Sequence, residues 1–472
     1  MHWMTARHKD LSVTLIAVAL ALLLAIAPDR GTFPSTGDIL LLQSARDAGA
    51  DLDEWRWLAR FVSEHPHNAR VWERMAVLDY RNGLCQQATV EFNLALSYGK
   101  LSANSLAFYG ECLMELGKSQ ETVDLLSPHL GDANKPNGLD LLLARAYLKQ
   151  DNFERALLIL NDWAARETQN PQAAYTLGLY QALAEPSEAL KNLQNVATQT
   201  SEYNKSYREI QTAINTAQLS DNKAYQAVVI GRTYGNLNEW DLAEYAFLTA
   251  LQSEPNYPEA HAWLGEARQH LGLDGSDELQ LALELNPDSI IAQALNALYL
   301  QRQGKPEKAL IYLNQIAEAE PSNPGWQMAL GQANAQLGKL AEARGYFQQA
   351  VALEPANVST WQALAEFCFT YQYEVQSTGI PAANKAVLLS PDSPRSLDLA
   401  GQAALTGGNL GSAEAYLRKA IELDPHYAPA HLHLALVLLQ LENTSEAQQE
   451  LVKAATLGSP EAENLLAQMK TP

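Results

Sequence analysis

Cysteine is scarce in this chain of 472 residues. Only Cys85, Cys112 and Cys368 occur, with no C-x-x-C pair. An odd count of scattered single thiols makes a disulfide framework or a structural zinc site unexpected, and packing is the role expected of each. Positive charge is short as well: 33 Lys and Arg stand against 54 Asp and Glu, a formal charge of -21. That balance excludes a uniform basic face for nucleic acid. Runs of β-branched residues are almost absent, so an all-β or doubly wound fold is not expected. No G-x-G-x-x-G, P-loop, H-E-x-x-H or G-x-S-x-G occurs. His431 and His433 stand two apart on an expected helix and point to different faces, a poor arrangement for shared metal ligation. His65 and His67 flank a proline in a turn. The acidic stretch at 274–278 lacks calcium-loop spacing. Catalytic, cofactor-binding and metal-binding residues are therefore expected to be none, and no small-molecule substrate is expected.

What is present is alanine and leucine. Hydrophobic residues make up 47% of the chain, enough for a core, and the two commonest favour helix. Residues 11–27 read LSVTLIAVALALLLAIA without a charge. As a helix this run spans about 25 Å, slightly short of a bilayer core. Its six Leu, two Ile and two Val favour insertion by roughly 3–6 kcal/mol in all. A cleaved signal peptide ending at Ala25-Ile26-Ala27 is the rival, but Pro28 would follow the scissile bond and disfavours the extended geometry a protease grips. The expectation is a short tail (1–10), an uncleaved transmembrane helix (11–27), and then an extramembrane body. Arg7 and Lys9 precede the span, so the N-terminus is expected in the cytoplasm and the body on the far side.

The body is periodic. Pro255, Pro287, Pro321, Pro355, Pro391 and Pro425 recur every 32 to 36 residues. A small residue keeps step: Gly231, Gly265, Ala297, Gly331, Ala365, Gly401 and Ala435. So do an alanine (Ala243, Ala309, Ala343, Ala413, Ala447) and a large apolar residue (Phe247, Leu313, Phe347, Leu417, Leu451). The small residues allow two helices to approach closely, and the large ones fill the space between pairs. Proline ends each unit. Gly304, Gly338 and Gly408 supply permissive turns. No unit buries its apolar face alone, so stacking is obligatory.

This pattern resembles the tetratricopeptide repeat, W-x2-L-G-x2-Y…A-x3-F…P. Trp361, Leu364, Ala365 and the preceding Pro355 carry it, as do Leu330-Gly331, Gly338, Ala343, Phe347, Ala350 and Pro355. Weaker matches extend it to residues 69–457, among them Trp72, Gly83, Ala88 and Phe92. The resemblance implies an all-α, right-handed superhelical solenoid of helix-turn-helix repeats, here preceded by one transmembrane helix. Trp263 and Trp361 are expected in the large slot of their repeats. The organisation read from the period is a linker and degenerate opening helix pair (28–66), a first sub-array (69–197), an irregular joint (198–222), a second sub-array (223–457) and a capping helix (458–472). A second irregularity falls at 371–381.

The resemblance also implies a function: a non-enzymatic scaffold that holds a protein partner in its concave groove, here tethered to a membrane and expected in assembly of a cell-envelope complex. A secreted or periplasmic soluble binding protein is the alternative after signal cleavage, and an enzyme with a cryptic site a further one. Chaperone-binding relatives carry Lys and Asn at the fifth and ninth positions of the first helix. Here the ninth positions include Glu266, Gln332, Glu366 and Gln402, so a clamp for a C-terminal carboxylate is not expected. In the last repeat Leu432, Leu436 and Leu439 form an apolar stripe at i, i+4, i+7. The candidate partner-binding residues are therefore Leu432, Leu436, Leu439, Gln402, Glu366 and Gln332.

Overall fold

The computed structural model describes residues 51–469, apart from 133, 134, 136 and 137. The expected transmembrane helix at 11–27 lies outside the described residues. Within them no helix is long and apolar enough to cross a membrane. The described chain is helical throughout, and its helices pack as antiparallel pairs in two compact units. Residues 51–255 with 270–272 form one, and residues 256–269 with 273–469 the other.

The first unit opens with α1 (Asp51–Glu64). The pairs α2 (Ala69–Arg81) and α3 (Cys85–Tyr98), α4 (Ala103–Glu115) and α5 (Ser119–Leu126), α6 (Leu139–Leu148) and α7 (Phe153–Arg166), and α8 (Pro171–Ala184) and α9 (Pro186–Gln199) follow. A single helix, α10 (Asn204–Ala217), precedes the pair α11 (Lys223–Asn236) and α12 (Trp240–Ser253). The stretch 198–222, where the period breaks, thus holds an ordered helix whose Ile210, Ala213, Ile214 and Ala217 are buried.

The second unit holds six pairs. They are α13 (Pro258–His270) with α14 (Ser276–Leu285), α15 (Ile290–Arg302) with α16 (Pro306–Ala319), α17 (Pro324–Gln336) with α18 (Leu340–Leu353), α19 (Val358–Thr370) with α20 (Ile380–Leu389), α21 (Pro394–Thr406) with α22 (Leu410–Leu423), and α23 (Ala428–Gln440) with α24 (Thr444–Thr456). A last helix, α25 (Pro460–Met469), follows. The two odd proline spacings have local causes. The short interval before Pro287 corresponds to a ten-residue α14. The long one before Pro391 is absorbed by a π-helical turn, Val375–Gly379, ahead of α20.

Sequence sets the helix ends. First helices start on Asn or Ser side chains that accept from the first-turn amides, as at Asn68, Asn222, Ser289, Asn323, Asn357 and Ser393. The turns at Gly304, Gly338 and Gly408 have φ of 67°, 73° and 75°, the left-handed region where glycine is favoured. Within a pair the small position meets the large one. A Cβ at Gly331 would lie 2.9 Å from the Phe347 ring, and one at Gly401 would lie 2.7 Å from Leu417. Ala243, Ala309, Ala343, Ala413 and Ala447 are all fully buried beside them.

One expectation fails and another is met only in part. Cys85 and Cys112 form a disulfide between α3 and α4, with their Cα atoms 4.9 Å apart. They are 27 residues apart in sequence, so no local motif marks them. Only Cys368 is a free buried thiol. Trp361, expected in the large slot of its repeat, packs against the neighbouring core without being fully buried. It is half-exposed, and its indole N–H donates to the Pro355 carbonyl at 2.9 Å.

That bond recurs through the array. Trp72 donates to the Pro66 carbonyl (2.7 Å), Gln226 to that of Ser220 (2.6 Å) and Gln293 to that of Pro287 (2.7 Å). His431 Nε2 lies 3.0 Å from the Pro425 carbonyl. In each case a first-helix side chain closes the inter-repeat loop onto the carbonyl six residues earlier. The tryptophan of the repeat pattern thus serves as a loop staple as well as packing surface.

Between α2 and α3, Asp79 is buried against Glu91, with Trp55 of α1 beside Asp79. Burial pushes both carboxyls up, and the charge of Asp79 pushes Glu91 further. A carboxyl raised in the folded state stabilises the fold while it is protonated. The contribution is complete below the usual carboxylate range near pH 4. It is lost as pH rises through the raised values, about 6 for Asp79 and about 9 for Glu91. Glu91→Gln is therefore expected to raise the urea midpoint at pH 9 and to change it far less at pH 5. Equal effects at both pH values would show that the pair is not titrating.

Candidate protein-binding face

In the second unit the first helices α13, α15, α17, α19, α21 and α23 share one register, fixed by the small residue at the eighth position of each. The ninth position then falls on Glu266, Leu298, Gln332, Glu366, Gln402 and Leu436. Here the structure spends charge between neighbouring helices. Arg302 at the end of α15 places one guanidinium nitrogen 2.6 Å from both oxygens of Glu266 on α13. Arg395 at the start of α21 clasps both oxygens of Glu366 on α19. His433 on α23 lies 2.6 Å from Asp398 on α21, which also accepts from Gln402 at 3.1 Å. Each acid is matched by a basic or amide group on its own or the next first helix. Such pairing ties neighbouring first helices together and engages Glu266, Glu366 and Asp398 within the array.

The six expected site residues divide accordingly. Glu366 is half-buried and engaged by Arg395, while Gln402 is half-buried and engaged by Asp398. Gln332 is exposed. Leu432 and Leu439 are half-buried against the core of the last pairs, which also takes in Ala462, Leu465 and Leu466 of α25. Leu436 is half-buried between them. The leucine stripe therefore serves partly as the inward seam of the terminal core. Leu298, passed over in the sequence reading, is an apolar ninth position that stands 41% exposed. Position counting along α15 is the signal that finds it.

The histidines separate as their spacing implies. His431 is buried and lies 2.5 Å from Glu450 of α24, whereas His433 faces α21. Burial disfavours the Glu450 charge, but hydrogen bonds from Lys453 and His431 outweigh it and hold its pKa below the ordinary value. Among the described residues no three His, Cys, Asp or Glu side chains are grouped to hold a metal ion.

Helix pairs of this length, closing a small residue onto a large one and ending on proline, match a known family. The tetratricopeptide repeat family matches residues 295–358 and again 404–469. Over those two stretches the helix pairs are tetratricopeptide repeats. Mouse tetratricopeptide repeat protein 16 is 22% identical over 352 residues, which cover 72% of this chain and 42% of that protein. The match thus spans less than half of the mouse protein's length. Among solved structures, yeast Tom70 is 14% identical with a TM-score of 0.43, covering 92% of this chain and 94% of that one. A tetratricopeptide repeat protein from Parabacteroides merdae is 17% identical with a TM-score of 0.43, covering 52% of this chain and 97% of that one.

Proposed function

We propose that this chain is a scaffold that binds a protein partner on the first-helix face of its second unit, held at a membrane by residues 11–27, with the repeats on the extracytoplasmic side. The observation that carries the binding reading is the state of that face. Its acids are engaged by Arg302, Arg395 and His433, while Leu298 and Leu436 remain at ninth positions with exposed apolar surface. A face whose described acids are already paired and that offers apolar anchors suits a protein partner better than an ionic ligand. The compartment is supported by the Cys85–Cys112 disulfide, since such bonds persist where the surroundings are oxidising. The positive-inside rule acting on Arg7 and Lys9 favours the same side. Assembly of a cell-envelope complex is the process this placement fits.

A photo-crosslinker at Gln402 in the full chain, activated in intact cells, is expected to trap a discrete protein band. Leu436→Glu is expected to abolish the band while leaving the melting temperature nearly unchanged. Persistence of the band, or a large drop in melting temperature, would overturn the reading.

A further inference from the structure

The first unit uses the same helix positions differently. Counting from Leu143-Ala144 on α6, Arg145 is a ninth position and Lys149 a thirteenth. In the second unit Arg302, also a thirteenth position, reaches Glu266 on the adjacent first helix, 36 residues away in sequence. Arg145 and Lys149 instead reach α12. Arg145 Nη2 lies 2.6 Å from Asp241 Oδ2, and Lys149 Nζ lies 2.7 Å from Asp241 Oδ1 and 2.8 Å from Glu244. The partners are 96 and 95 residues apart in sequence.

Apolar and backbone contacts join the same surfaces. The Phe153 ring at the start of α7 stacks on Tyr245 of α12 at 4.8 Å and faces Tyr180 of α8 at 5.9 Å. The Tyr234 hydroxyl of α11 donates to the Leu179 carbonyl on α8 at 2.5 Å. Leu179 is the ninth position of α8, and it is only 2% exposed where its counterpart Leu298 is 41% exposed. Residues 176–182 of α8 are buried without interruption, so no side of that stretch stays open to solvent. The unpaired helix α10 sits between α9 and α11. A half-repeat inserted there changes which face the next pair presents and lets α11–α12 return onto α6 and α8.

We infer that the α11–α12 pair is a built-in occupant of the first-helix face of α6 and α8, latched by Asp241 and Glu244 onto Arg145 and Lys149, and that this face takes an acidic amphipathic helix. The face is occupied by chain rather than left free, so a partner reaches it only by displacing the pair. The charges support the latch. Burial works against ionisation of Asp241, yet Lys149 and Arg145 outweigh it and hold its pKa below the ordinary value. The inference rests on the proposed use of first-helix faces for protein binding only as regards what replaces the latch. The latch itself is tested without any partner.

In the full chain, amide exchange at residues 176–182 is expected to be slow. In Asp241→Lys/Glu244→Lys it should quicken by about tenfold or more as the pair lifts. Adding Arg145→Glu/Lys149→Glu to that variant reverses all four charges and should restore slow exchange, which separates latch opening from misfolding. A fluorescent peptide of residues 236–254 is expected to bind Asp241→Lys/Glu244→Lys but not the wild-type chain, and to lose binding when Arg145→Glu/Lys149→Glu is added. Unchanged exchange after the first reversal, or fast exchange that the fourfold reversal does not restore, would overturn the latch. A peptide that binds neither chain would overturn the assigned ligand class. Failure of the Gln402 crosslink would touch only the second unit, so the two readings fail separately.

Discussion

Phe347→Ala is expected to lower the stability of its repeats by about 3–5 kcal/mol, read as a fall in the urea midpoint of the second unit. The ring is 3% exposed and comes within 2.9 Å of where a Cβ on Gly331 would be, so its removal leaves a cavity at a close contact of the pair. The same contact decides the sign of Gly331→Ala. In the native chain the added methyl meets three ring carbons at 2.9–3.0 Å, and overpacking outweighs the helix-propensity gain of about 1 kcal/mol. In a Phe347→Leu background the methyl is expected to stabilise instead. Natural repeats already show that combination: Ala297 with Leu313 and Ala435 with Leu451, all buried. A Gly331→Ala effect of the same sign in both backgrounds would mean that the two positions do not face each other.

Loss of the Cys85–Cys112 bond is the second large effect. Closing a loop of 27 residues restricts the unfolded chain by about 3–4 kcal/mol on the chain-entropy scale. Cys85→Ala/Cys112→Ala is therefore expected to lower the midpoint of the first unit by about that amount, and reductant added to the wild-type chain should do nearly the same. Reductant added to the double variant should do nothing. An unchanged midpoint in the variant would show that the thiols are not joined in the folded protein.

Much of this architecture is readable from residue order because its contacts are local. The sixteen-residue step from Gly331 to Phe347, or from Gly401 to Leu417, is the length of a helix-turn-helix, so the two halves of the contact lie close together in sequence and recur, as again at Gly231 and Phe247. Gly304, Gly338 and Gly408 mark turns for the same reason. The features that escaped are those with no period. Cys85 and Cys112 stand in different helix pairs, and neither carries a neighbour that signals the other. Arg145 meets Asp241 across 96 residues, with the unpaired α10 interrupting the alternation between them, and a single amphipathic helix at a break in register reads as a joint. The leucine stripe of α23 was visible as periodicity. How much of it the last core absorbs depends on Leu465 and Leu466. Trp361 shows a subtler limit: the pattern gives its position, but the bond to Pro355 depends on loop geometry that spacing alone does not encode.

The disulfide also alters how the repeats would yield to force. In a stack held by neighbour contacts, a pull on the N-terminal end peels one helix pair at a time, each release lengthening the chain. Here the bond from Cys85 to Cys112 withholds the chain across their separation of 27 positions, about 90 Å when extended, even after α3 and α4 have lost their packing. Load entering from the N-terminal side would pass through that covalent short-cut into Cys112 and the rest of α4. The chain before Cys85, α1 and α2 included, would still pay out, but the segment closed by the bond would add no length, and extension would resume only beyond Cys112.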